Sequence, residues 1–317
     1  VQGNAGVARS GILTVGGQTI TIAQSGAIDT ASPANGSGSP QTFVFTFTDA
    51  KGVSDISVAN VLINTYLNAR NACYLAYVES QKILYLVSDA GTSLLPAITL
   101  GGSGSTSNSQ CTVCSNGSSA TVSGNTLTLT LNIAFSTKFS GNHVLYAAQQ
   151  DIVTSNSGWQ AVAAWGVPGG ASRSPAAVSV VPGSGSGLSQ MFTATFTDTN
   201  GTSDLGVINI LINRALNGAN GCYLAYSQPA NILYLVDDSG TSLLPAITLG
   251  APGSVQNSQC TVNGPTSSVI RSGNTLTLNL GMSFSAGFAG TRIIYLATGT
   301  VEGANSGWQP LGTWLVQ

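Results

Sequence analysis

The chain has 317 residues, with 9 Lys or Arg against 11 Asp or Glu, and a pI near 5.1. A charged fraction of 6 % gives no basic field for nucleic acid, while a hydrophobic fraction of 43 % exceeds what a disordered chain carries. No apolar run approaches the roughly 18 residues of a membrane span, and an interfacial helix would need more Lys and Arg than are present, so neither nucleic acid nor membrane insertion is expected.

Residues 1–27 open with a β-hairpin pattern. Ile12–Val15 and Gln18–Gln24 flank Gly16-Gly17, a turn pair suited to a two-residue hairpin loop. Leu13, Val15, Ile20 and Ile22 are the candidate apolar face. An isolated two-stranded hairpin is marginal in water, so this one is expected to lie against the first domain or a different molecule.

The rest of the chain is one domain written twice, over residues 28–168 and 169–317. CYLAY, ILYLV and GTSLLPAITLG recur at an offset of 149 residues. From Pro33 and Pro182 onward, about 74 of 136 aligned pairs are identical. A unit of this length is a normal single domain and too long for a solenoid repeat. Gly, Pro and Ser between Val167 and Ser184 mark the boundary.

Each copy reads as all-β. Phe43, Phe45 and Phe47 alternate with Val44, Thr46 and Thr48, the pattern of a half-buried strand. Leu127, Leu129, Leu131, Ile133 and Phe135 alternate in the same way, and a helix would scatter them. Cys73–Tyr77 and Ile83–Val87, five residues apart, suggest a hairpin. Short strands at this spacing predict a β-sandwich, with Trp159, Trp165, Trp308 and Trp314 serving the core and the closing strands.

Four of the five cysteines form equivalent pairs, Cys73/Cys111 and Cys222/Cys260, each 38 positions apart. One disulfide per domain is the simplest reading, and it implies an oxidising compartment; buried thiols are the rival. Cys114 makes a CxxC with Cys111, but Asn263 replaces it in the second copy, so a free or intermolecular thiol is expected. The chain begins with Val1, which points to a processed or trimmed product.

Comparing the copies tests for chemistry. Lys51, Arg70, Lys82 and Lys138 face Asn200, Ala219, Asn231 and Gly287, and His143 faces Arg292. A Ser-His-Asp or Cys-His set would need His143, which only one copy has. The unmatched lysines also argue against Lys–Asn isopeptide bonds. Asp49/Asp198, Asp55/Asp204 and Asp89/Asp238 do persist. The first two pairs bracket a Gly-containing turn, where Asp stabilises backbone; Asp198, Asn200 and Asp204 as Ca²⁺ ligands are the alternative. No catalytic residues, metal site or cofactor are expected.

The pattern PxxGSGxxQxFxxxFTDxxGxSD, then LIN, ACYLAY or GCYLAY, NSQCTV, SGNTLTL and NSGWQ, resembles the tandem Ig-like repeats of large bacterial surface and secreted proteins. ARSGILTVGGQTITIAQSGA is similar to the last hairpin of a BACON domain, a family named for a proposed association with carbohydrate. The resemblance implies two Ig-like β-sandwiches behind a hairpin, secreted or at the cell surface, with no enzymatic role. The expected function is a filament, stalk or adhesin subunit that self-associates, with the hairpin donating strands to a neighbour. The alternative is a carbohydrate-binding module, with a glycan on Tyr74, Tyr77, Tyr85 or Trp159 and their counterparts.

Overall fold

The computed structural model describes residues 29–153, 156–169 and 174–317, together with the backbone of 9–15 and 18–24. The chain divides into two compact units, Val1–Gly170 and Ala171–Gln317. Both are built of strands, and the described helical turns are short 3-10 turns.

The first unit contains β1 (Arg9–Val15), β2 (Gln18–Gln24), β3 (Thr30–Ser32), β4 (Asn35–Ser37), β5 (Gln41–Thr48), β6 (Ile56–Asn64), β7 (Cys73–Val78), β8 (Ile83–Leu86), β9 (Ile98–Thr99), β10 (Ser105–Ser107), β11 (Cys111–Ser123), β12 (Thr126–Phe135), β13 (Gly141–Asp151) and β14 (Gln160–Val167). The second contains β15 (Ala176–Val181), β16 (Ser184–Ser186), β17 (Ser189–Thr197), β18 (Leu205–Asn213), β19 (Cys222–Ser227), β20 (Ile232–Leu235), β21 (Ser254–Gln256), β22 (Cys260–Ser272), β23 (Thr275–Phe284), β24 (Gly290–Thr300) and β25 (Gln309–Val316).

In the first unit one sheet runs β10-β11-β12-β5-β3 and the other β4-β14-β13-β6-β7-β8-β9. In the second they run β15-β17-β23-β22-β21 and β16-β25-β24-β18-β19-β20. Alternation sets the layers. Phe43, Phe45 and Phe47 sit opposite Leu131, Leu129 and Leu127 in the antiparallel β5–β12 pair. They share the core with Val61, Ile63, Leu75 and Leu145 of the facing sheet. Each such side chain contributes about 1.5–3 kcal/mol when fully buried. The second core repeats the plan with Phe192, Phe196, Ile210, Ile212, Leu224 and Leu278.

This is the variable-type immunoglobulin arrangement, with β7 and β8, or β19 and β20, as extra strands on the sheet that holds the last strand, and with the two-residue β9 beyond β8 in the first unit. The first edge segment changes sheets: β3 pairs antiparallel with β5, whereas β4 pairs in parallel with β14. The second unit does the same, with β15 on β17 and β16 on β25. In antibody domains the disulfide joins two central strands and a Trp packs on it. Here the bridge joins β7 to β11 in the first unit and β19 to β22 in the second.

The core Trp comes from the closing strand, and the repeated GSG motif makes room for it. Trp165 packs edge-on to Phe43 at 5.1 Å, and its Nε1–H donates to the Gly38 carbonyl at 2.9 Å. Trp314 repeats this with Phe192 at 5.2 Å and the Gly187 carbonyl at 2.9 Å. A Cβ on Gly36 would stand 2.6 Å from Trp165, and one on Gly185 2.4 Å from Trp314.

Candidate functional sites: hairpin, cystine rim and aromatic face

The strands β1 and β2 pair antiparallel, with Leu13 opposite Ile20, Gly11 opposite Ile22 and Val15 opposite Gln18. Directly opposed residues share a face, as do residues two apart on one strand. The register therefore places the Leu13, Val15, Ile20 and Ile22 positions on one face of the ribbon. This ribbon is a sheet of its own and pairs with neither sheet of the first unit.

Cys73 is bonded to Cys111 and Cys222 to Cys260, with Cα separations of 5.6 and 5.7 Å. Cys114 is a free, half-buried thiol. It cannot share the bridge as a CxxC pair. Residues three apart on an extended strand lie about 10 Å apart and point to opposite faces, beyond the roughly 7 Å limit for a disulfide. Along β11, Cys111 and Val113 face the core while Cys114 points outward.

The bridge is framed by an asparagine that sequence reasoning passed over. Asn108 Nδ2 donates to the Ala72 and Val87 carbonyls, and its Oδ1 accepts from the Gln110 and Cys111 amides. Asn257 makes the same four bonds to Gly221, Val236, Gln259 and Cys260. Asp89 and Asp238 accept from the Ser109 and Ser258 amides beside it. The repeated NSQC string was the available signal.

At the acidic turns, Asp49 accepts from the Lys51 amide and Asp198 from the Asn200 amide, both at 2.8 Å. The Lys51 ammonium lies 3.0 Å from Asp55 and 3.7 Å from Asp151. In the second copy Asn200 Nδ2 donates to Asp204 at 3.0 Å. The Lys51 ammonium in the first copy and the Asn200 amide on Asp204 in the second thus take carboxylate oxygens that a Ca²⁺ ion would use, while Asp198 Oδ2 is buried without a hydrogen bond. Among the described residues, no three His, Cys, Asp or Glu side chains gather as a metal-binding group.

His143 and Arg292 are different residues in one structural role. The His143 ring stacks on Phe139 with centroids 3.9 Å apart, and its Nε2 bonds the Phe139 carbonyl at 2.8 Å. Arg292 lies 4.3 Å over the Phe288 ring, and its Nη2 donates to the Phe288 and Ala289 carbonyls. Each ties a 3-10 turn to the following strand. Replacing His143 with Ala is expected to cost the first unit about 2 kcal/mol, from a lost ring stack and hydrogen bond. His143→Arg is expected to retain stability, following the second copy.

Burial holds the His143 imidazole below its ordinary 6.5, partly offset by the Phe139 carbonyl. The unfolded chain gains this proton as the pH falls through 6.5, before the folded unit does. The contribution is therefore complete above that pH and is lost as the pH falls through the folded value. Buried Asp29, raised to about 7, titrates over the same range with the opposite sign. Calorimetry from about pH 7.5 to 5.5 should therefore show the His143 decline as the difference between the wild-type and His143→Arg chains in the first unit's transition.

The proposed aromatic platform splits in two. Tyr77 and Tyr226 are core residues, 1 % and 0 % exposed. Burial, and then the neighbouring Glu79, pushes the Tyr77 phenol up to about 12. The Tyr226 hydroxyl instead donates to Asn231 and accepts from Arg271. Tyr74, Tyr85 and Trp159 are half-buried. Tyr74 and Trp159 meet edge to face at 5.7 Å, and so do Tyr223 and Trp308. Each tyrosine hydroxyl donates to an asparagine, Asn60 or Asn209. Trp159 and Trp308 therefore lie outside the two core clusters that hold Trp165 and Trp314, because the chain reaches the closing strand only after them.

No protein-family model and no curated protein sequence matches this chain. Among solved structures it is similar to a marsupial T cell receptor, at 9 % identity and a TM-score of 0.22, covering 92 % of this chain and 72 % of that one. The immunoglobulin-type assignment follows from the strand order of each unit.

Proposed function

We propose that this protein is a non-enzymatic building block of an extracellular assembly, a filament, stalk or adhesin, joined to its neighbours through the N-terminal hairpin. The observation that carries this reading is the hairpin: a two-stranded sheet of its own, with four apolar positions on one face. A strand pair in that state gains stability by adding to another sheet. Two cystine bridges suit an oxidising, extracellular setting. Asn108, Asp89 and Asp49, which both copies keep, hold loops and turns in place. The low charge leaves little repulsion between copies. Light scattering tests this. The full chain should associate with rising concentration, and a chain lacking residues 1–27 should remain monomeric. Association that survives the deletion overturns the proposal.

The Tyr74–Trp159 and Tyr223–Trp308 pairs favour a second reading, a carbohydrate-binding module. It expects glycan-array signal that Trp159→Ala and Trp308→Ala together abolish. An array without signal removes it.

A further inference from the structure

The hairpin needs an acceptor, and the sheet margins differ in how open they are. Natural sheets blunt their edges with short strands, bulges and charges. Among the described residues, seven marginal strands follow that rule in length: β3, β4, β10, β16 and β21 have three residues, β9 two and β20 four. The exception is β15, with six residues, AAVSVV, and no charge. Its register on β17 slips between Ala177 and Ser179, leaving Val178 out of the ladder. Val178 is 47 % exposed and Val181 61 %.

The first unit shows the same margin in another state. The position equivalent to Val178 is Asp29, which is only 5 % exposed, with neither carboxylate oxygen hydrogen-bonded. The difference is confined to that position, because Thr30 and Ser32 of β3 are exposed, as Val181 of β15 is. The element just upstream of it in the first unit is the hairpin, which ends five residues before Asp29. Each hairpin strand has seven residues, and β2, QTITIAQ, is uncharged like β15.

Resting on the function proposed above, we infer that β15 of the second unit is the acceptor edge for the hairpin of a second copy of this chain. The hairpin adds to the β15-β17-β23-β22-β21 sheet as further strands. Its backbone groups satisfy the open side of β15, and Val178 and Val181 leave water at the junction.

Two other stretches compete for this role. Residues 119–123 of β11 and 268–272 of β22 run past the strands that flank them. Each is five residues long, against six in β15, and exposes one large apolar side chain, Val122 or Ile270, where β15 exposes two; the second also carries Arg271.

The test combines concentration-dependent light scattering with directed cross-linking in a Cys114→Ser background. Val178→Lys places a charge on the edge, at an exposed site that keeps the second unit's melting transition. It should move the association midpoint about tenfold or more to higher concentration. Chains carrying Thr21→Cys on β2, mixed with chains carrying Ser179→Cys, should form a disulfide-linked heterodimer. If association needs residues 1–27 but ignores Val178→Lys and gives no cross-link, β15 is not the acceptor and the proposed function stands. If the full chain never associates, or associates without the hairpin, both fall.

Discussion

Gly185→Ala is expected to lower the stability of the second unit by about 3 kcal/mol and leave the first unit's transition in place. Two costs add. The new Cβ would stand 2.4 Å from Trp314 Cζ3, a distance that forces either the ring or β16 to move. The ring is held on one side by Phe192 and by its own bond to the Gly187 carbonyl, so it has nowhere to go. Overpacking of this kind costs roughly 1–3 kcal/mol. The backbone at Gly185 has φ +153, in the region that favours glycine, which adds on the order of 1 kcal/mol. The measurement is calorimetry of the whole chain, where the second unit's Tm should fall by roughly 10 °C. Gly187→Ala is the control. Its φ is +141, but the added Cβ would lie 3.8 Å from Trp314, so the strain remains without the clash. A Gly185→Ala chain that melts like Gly187→Ala would show that the ring yields, and that the cradle is not what fixes β16 on β25.

This cradle marks where the sequence stops being legible. The strands were readable because a half-buried strand writes itself as period two, and β12 carries that pattern over all ten of its residues. The duplication was readable because two copies of one unit keep their strings. The GSG motif was not readable in the same way. A run of Gly and Ser reads locally as a loop, and its partner Trp lies 127 residues further on. Asn108 and Asn257 were hidden for a similar reason, since each holds two loops that local pattern cannot bring together. The facing of His143 and Arg292 was visible, but it reads as divergence until both are seen against a phenylalanine and its carbonyl. Trp159 carries a different lesson. It precedes the closing strand by one residue and meets Tyr74 edge to face, while Trp165, inside that strand, enters the core. Composition and apolar neighbours do not separate the two; position relative to the strand does.

Removing one cystine bridge is the second large effect. Cys222→Ala with Cys260→Ala is expected to cost the second unit about 3–4 kcal/mol, the chain-entropy value for a loop of this length. The bridge spans 38 residues and ties β19 of one sheet to β22 of the other. The loop it closes carries β20 and β21, which are short and marginal to their sheets, and in the unfolded chain the bridge alone would hold its two ends together. Both sulfurs are in the core, and alanine at these sites also leaves unfilled volume, which adds to the loss. Urea unfolding followed through both transitions measures it: the second unit's midpoint should drop while the first unit's stays. A single change in the first unit separates the bridge from the nearby thiol. Cys73→Ala frees Cys111, three residues from Cys114 on the same strand. Because those side chains point to opposite faces of β11, thiol counting on the folded protein should find two free thiols and no replacement disulfide. A new Cys111–Cys114 bridge in the folded Cys73→Ala chain would mean that β11 opens there, and the first unit should then lose more stability than the second does.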